Sequence, residues 1–331
     1  MQTESFGTAY GRDITKYHLQ NTRGTSVGIL DLGGIVQDFV VKDKDGTPQN
    51  LVVSLPDAAA YESNTFQLNK QIGRVAGRIR GAAFELDGQQ YEVEANEQDY
   101  CLHGGSRGFG TRVFDVTVVS EQELLLHSLV KVEEDGFPHD LAMSIRYRLE
   151  DDDSLTLEYR GTARGGSSVF DPTMHVYWQL ADGLEHAVLQ IPHAEHAVLD
   201  SQSLPTGEFD NNPLFDFSDS RDLAQAVADL RRSGLKNGLD EIYRVRPDLQ
   251  KPVAVLDTGA HRIHIFSNRN GLVVFTAAPT DLAQHQAGYY CAVATEAQTV
   301  SDSLHHPQFG EIRLREDETR SAVIRYQVET L

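Results

Sequence analysis

The chain is poor in cysteine, in basic charge and in long apolar runs. Only Cys101 and Cys291 occur among 331 residues, too few for the disulfide framework of a small secreted domain. The sequence therefore predicts free thiols and a reducing, cytoplasmic setting. No stretch approaches the roughly 18 consecutive apolar residues that suggest a membrane-spanning helix. Residues 1–6 lack the basic-then-apolar character of a secretory leader. Lys and Arg number 29 against 49 Asp and Glu, a formal net charge of −20. Nucleic-acid phosphates require a basic surface, so nucleic acid is excluded as a partner and a membrane is not indicated. A neutral or weakly charged small molecule suits this balance.

Helical periodicity is scarce as well. Its best instance is residues 221–235, where Leu223, Val227 and Leu230 share one face. Ser220 or Asp219 can cap that helix and Gly234 can stop it. What the chain has instead is many short alternating runs separated by turn residues, the signature of antiparallel β structure. Residues 84–93 read as a hairpin about Asp87-Gly88, a pair suited to positive φ. Asp45-Gly46, ahead of Leu51-Val52-Val53, gives a similar signal. So does Asn270-Gly271, between Ile263-His264-Ile265-Phe266 and Val273-Val274-Phe275. Asp151-Asp152-Asp153, between two apolar runs, reads as a solvated hairpin tip rather than a metal site. No repeat or flexible linker divides the chain. The prediction is one all-β domain over 1–331, a large antiparallel β-sandwich with few short helices.

Side chains of catalytic type gather in five segments. Gly73-Arg74-Val75-Ala76-Gly77-Arg78 carries two arginines able to bind hydroxyls or an anion. Cys101-Leu102-His103-Gly104-Gly105 places a histidine beside glycines that permit close backbone approach. In Met174-His175-Val176-Tyr177-Trp178, strand alternation puts His175 and Tyr177 on one face and the tryptophan on the other. Asn237-Gly238-Leu239-Asp240 sets a carboxylate in a glycine-containing loop. Ala292-Val293-Ala294-Thr295-Glu296 ends an apolar strand on a glutamate, whose neighbours can raise its pKa for proton transfer.

In this order along the chain, the five segments resemble those of the aldose 1-epimerase family, the galactose mutarotases. The turn Leu204-Pro205-Thr206-Gly207-Glu208 and the segment Val300-Ser301-Asp302 after Glu296 add to the resemblance. It implies a galactose mutarotase-like supersandwich that interconverts the α and β anomers of a free aldose without cofactor or metal. It also implies Glu296 as base, His175 as general acid, and Arg78, His103 and Asp240 as substrate-binding residues. Gly77, Met174, Gln179 and Ala278 stand where the family usually has asparagine, and Val273 where it has a glutamine. Those departures put galactose itself in doubt as the substrate and suggest that Gly77 frees volume beside Arg78. The alternatives are a hexose-6-phosphate 1-epimerase drawing on Arg74, Arg80, Arg107 and Arg112, a silent sugar-binding module, and a glycosidase using Glu296 with Asp240. A monomer or homodimer is expected.

Overall fold

The computed structural model describes residues 1–331. Its strands form a nine-stranded, a six-stranded and a five-stranded sheet with several two-stranded ribbons. Every pairing between strands is antiparallel, as the alternating runs predict. The two larger sheets face each other across a shared core. Leu124, Ile145, Leu157 and Ile324 enter it from the nine-stranded sheet; Val176, Trp178, Val274 and Val293 enter from the six-stranded one. Trp178 meets Tyr326 edge-on across the interface, with ring centroids 5.1 Å apart. Burying such side chains stabilises the sandwich by about 1.5–3 kcal/mol each.

The six-stranded sheet positions the site. Val176–Gln179, Ala292–Gln298, Gly271–Ala277 and Asp240–Arg244 lie side by side in it. Their register aligns Tyr177 with Ala294, Glu296 with Val273, and Val273 with Ile242. Side chains alternate across a strand, so these residues point away from the core that receives Trp178 and Val274. The five-stranded sheet, running from Gln2–Ala9 to Pro48–Asn50, packs against one end of this second face. There Ala9, Ile14 and Leu30 join Tyr177, Ala292 and Ala294 in a smaller core.

Local turn chemistry reads well where it governs one hairpin. Ala83–Leu86 pairs with Gln89–Glu92 about Asp87 and Gly88, both at positive φ. Asp45-Gly46 also turns a hairpin, Val36–Lys42 onto Pro48–Asn50 with Gly46 at positive φ, and Asp151-Asp152-Asp153 tips the hairpin of Asp140–Leu149 and Ser154–Arg164. Three other readings need correction. Asn270-Gly271 closes no hairpin, because His261–Ser267 belongs to the nine-stranded sheet and Gly271–Ala277 to the six-stranded one. Gly271 serves close packing: a Cβ there would lie 2.7 Å from the Val300 nitrogen. Leu51-Val52-Val53 forms no strand, only an isolated bridge from Val52 to Trp178. The helix is Leu223–Ser233, stopped by left-handed Gly234 as expected, but its cap is Asp222, whose side chain accepts from the Gln225 N–H. Ser220 and Asp219 precede the two-residue strand Arg221–Asp222, which moves the helix start past them. Of the acidic tip, Asp151 and Asp152 are exposed while Asp153 is buried. Asp153 accepts hydrogen bonds from Asn21 Nδ2 and Thr25 Oγ1, tying the tip to the turn between Arg12–Gln20 and Ser26–Leu30 of the five-stranded sheet.

Candidate active site

The second face of the six-stranded sheet floors a cleft of about 520 Å³. His175, Tyr177, Glu296, Val273, Asp240 and Ile242 rise from the floor, and Arg78, Gly77 and His103 form one wall. All five residues expected at the site therefore line a single cleft. Asp240 is the first residue of a strand rather than a loop residue, which aligns it with Phe275 across the sheet.

Glu296 sits inside a strand whose seven residues are all buried. His175 is wedged into the chain: its N–H donates to the Lys70 carbonyl and its own carbonyl accepts from the Asn69 N–H, both at 3.0 Å. Its ring stacks on Tyr177 with centroids 5.0 Å apart, as alternation predicts for residues two apart. This places His175 Nε2 at 3.3 Å from Glu296 Oε1. Burial acts on both groups by disfavouring their charged forms. It lowers His175 to about 4. It raises Glu296 to about 8, with Asp240 pushing further up and Arg78 pulling down. At neutral pH the pair thus holds one proton, residing on the carboxyl. His175 Nδ1 and Glu296 Oε2 have no hydrogen-bond partner. Both groups line the cleft, where a bound molecule can supply the missing partners.

The wall is held by paired backbones. Cys101–Leu102 runs antiparallel to Arg78–Ile79, and the His103 N–H donates to the Gly77 carbonyl at 2.9 Å. Gly104, at positive φ, lies against Gly73, where a Cβ would come within 2.1 Å of the Gly73 carbonyl oxygen. That contact is the close approach expected of the His-Gly-Gly segment. It sets the His103 ring edge-on to His175, centroids 5.2 Å apart, with Nδ1 at 3.9 Å from Glu296 Oε2. Burial holds His103 well below the ordinary imidazole pKa, with His175 and Arg78 adding to the effect. Arg78 lies over the Tyr100 ring and 3.7 Å from Asp240, leaving its Nε unpartnered. The ligand atoms of His103, His175 and Glu296 lie within 4.8 Å of one another and could also hold a metal ion.

Other expectations fail for stated reasons. Arg74, unlike Arg78, is fully buried outside the cleft. Its guanidinium donates to both oxygens of Asp135, to the Pro138 and His139 carbonyls and to Ser168 Oγ. Arg80 is held by Asp200 and Arg112 by Glu134, and neither they nor Arg107 lines the cleft. Met174 is part of the main core, Gln179 is exposed and Ala278 is buried beyond its strand; none reaches the cleft. Gly77 does reach it but frees no volume. At its φ of +72°, a Cβ would lie 2.4 Å from Ser301 Oγ and 3.0 Å from Gln298 Nε2, which already fill that space. Sequence reasoning missed Lys70, a buried lysine on the cleft wall, because one lysine between polar residues makes no pattern.

The fold and a carboxyl–imidazole pair over an open cleft define a protein built to move protons on a small polar molecule. Residues 15–327 match the aldose 1-epimerase family, and the chain belongs to it; it is an isomerase of the mutarotase type. It is 36% identical over 332 residues to the maltose epimerase of Levilactobacillus brevis, covering 97% of this chain and 96% of that one. To an aldose 1-epimerase of Streptococcus thermophilus it is 34% identical, covering 94% and 93%. Among solved structures, the aldose epimerase homologue from C. elegans has a TM-score of 0.86 at 22% identity, covering 96% of this chain and 99% of that one. The galactose 1-epimerase of Lactobacillus acidophilus has a TM-score of 0.85 at 22% identity, covering 99% and 98%. These structures bear on the fold, the antiparallel sandwich read from the sequence.

Proposed function

We propose that the protein opens and recloses the ring of a neutral reducing sugar at its anomeric carbon, with Glu296 and His175 as the proton-exchanging pair. The observation that carries this reading is the 3.3 Å approach of His175 Nε2 to Glu296 Oε1, with one partnerless atom left on each group. Glu296 takes the proton of the anomeric hydroxyl while His175 gives one to the ring oxygen. The bond between the anomeric carbon and the ring oxygen breaks to an aldehyde. Rotation about the adjacent carbon–carbon bond and reclosure, with the roles reversed, give the other anomer. Before the first step, the shared proton must pass from Glu296 to His175. Sugar hydroxyls donating to Glu296 favour that transfer, because hydrogen bonds to the charged form stabilise it. Arg78 acts in the same direction. Arg78, His103 and Asp240 hold the sugar, His103 also facing charge that develops on its oxygens. The chemistry draws on no metal or other cofactor, since no group or electron leaves the sugar.

The wall favours a neutral substrate over a phosphorylated one. Arg74, Arg80 and Arg112 are tied down elsewhere, and Arg78 is paired with Asp240. The group within reach of Glu296 is an imidazole, which suits proton exchange better than the paired carboxylates of a glycosidase. Maltose and other reducing glucose saccharides are the proposed substrates, in line with the Levilactobacillus relative. We place the enzyme in the cytoplasm, in hexose metabolism, as one domain acting as a monomer or homodimer and binding neither nucleic acid nor membrane. No helix is long and apolar enough to cross a membrane. Polarimetry of freshly dissolved α-anomers tests the reading. Catalysed approach to equilibrium is expected with glucose and maltose, and the uncatalysed rate with both would refute it.

A further inference from the structure

One arm of the cleft's lining comes from residues 62–70, which carry polar groups of their own beside the catalytic pair. Lys70 lies in its wall at 2% exposure, and its ammonium makes no hydrogen bond or ion pair with the protein. The stem is buried while the ammonium reaches the cleft, which places it to donate to a molecule held there. Burial is the main influence on Lys70, and the nearby Glu62 carboxylate opposes it. Burial lowers Lys70 to about 8, so at neutral pH it remains mostly an ammonium donor. Glu62 is exposed to the arm and is steadied by the Tyr10 N–H, which donates to its Oε2 at 2.8 Å. Gln67 and Phe66 line the cleft beside them.

One cation and one carboxylate together give this arm no net charge, and the chain as a whole carries −20. An anionic group entering beside Glu62 would be repelled. A polyol offers both the acceptor that Lys70 lacks and a donor for Glu62, and the apolar face of a pyranose suits Phe66. Hydroxyl-bearing rings thus match the arm, and a phosphate does not. We propose that this arm is a subsite for a second sugar ring glycosidically linked to the reacting aldose, with Lys70 donating to its hydroxyls and Glu62 accepting from them. The proposal rests on the reading of the catalytic arm as the place where a reducing sugar is held.

The test compares maltose with glucose in wild type, Lys70→Met and Glu62→Gln, the latter an exposed position whose change leaves the core intact. A hydrogen bond to a charged group corresponds to about a tenfold to hundredfold effect. The expected result is a maltose-to-glucose ratio of kcat/KM about tenfold or more lower in Lys70→Met, and lower by a smaller factor in Glu62→Gln. An unchanged ratio in both variants overturns the subsite. Equilibrium binding of the two sugars is measured on the same proteins. If wild type anomerises neither sugar, the catalytic reading fails on its own, and the subsite is judged by binding alone. Weaker maltose binding in Lys70→Met, relative to glucose, then supports it, and an equal change for both sugars refutes it.

Discussion

Two buried histidine–glutamate pairs belong to the same six-stranded sheet region, and their surroundings are opposite. His196 Nδ1 lies 2.8 Å from Asp210, its Nε2 2.8 Å from Glu241, and Lys236 binds the other oxygen of Glu241. Phe215 stacks on the ring with centroids 4.1 Å apart. Every charge there has its counterpart. His175 and Glu296 approach each other at 3.3 Å, and each keeps a buried atom without a hydrogen-bond partner. A satisfied ionic cluster fixes structure, whereas an unsatisfied one leaves valence for a substrate. Composition alone does not separate the two pairs; what separates them is which face of the sheet each side chain takes.

The comparison breaks most sharply under glutamine substitution. Glu296→Gln keeps the shape and removes the proton acceptor, so kcat should fall by about 10²–10⁴-fold with a smaller change in KM. Its thermal midpoint should hold or rise, since a buried acidic group is lost. Glu241→Gln should show the reverse: a loss of about 3 kcal/mol in denaturant unfolding, because a buried ion pair is broken, and a kcat per folded molecule near wild type. A destabilised Glu296→Gln protein with normal kcat would undo the contrast. Next in size, His175→Asn should approach the Glu296→Gln deficit. His103→Asn should be milder, since His103 Nδ1 stands 3.9 Å from the carboxyl. Equal deficits would place His103 within the proton-exchanging pair.

How much of this was legible in the sequence depends on the distance over which each feature is decided. The Asp87-Gly88 hairpin was legible because turn and strands are contiguous. The hairpin expected at Asn270-Gly271 was not, because its flanking strands pair with partners far along the chain, Thr319–Thr330 and Ala292–Gln298. His175, Glu296, Arg78, His103 and Asp240 were found through resemblance to a family, and the structure gathers them in one cleft. Arg74 looked equivalent to Arg78 until Asp135, 61 residues away, was seen to hold it. Gly77 looked like spare volume because Ser301, its steric neighbour, comes from the far end of the chain.

Smaller effects sharpen the account further. Gly77→Asn should lower stability by about 1–3 kcal/mol through left-handed strain and overpacking, and Ser301→Gly should recover part of that loss. Full stability in Gly77→Asn would mean that the wall yields freely. Asp240→Asn removes the charge that raises Glu296, so the alkaline limb of the rate profile should move to lower pH. Arg78→Met should move it to higher pH. A limb unmoved in both would detach it from Glu296.

The pH dependence of kcat/KM in the wild type, followed by NMR saturation transfer between anomers, tests the central claim most directly. The pair works only while it holds one proton. Below about 4, His175 is protonated beside a neutral carboxyl and no base remains. Above about 8, Glu296 has lost its proton beside a neutral imidazole and no acid remains. The account predicts a plateau between those limits, falling on both sides, with the apparent values belonging to the pair. A rate that rises through pH 6 to 7, as for an ordinary exposed imidazole, and stays high in alkali would contradict it.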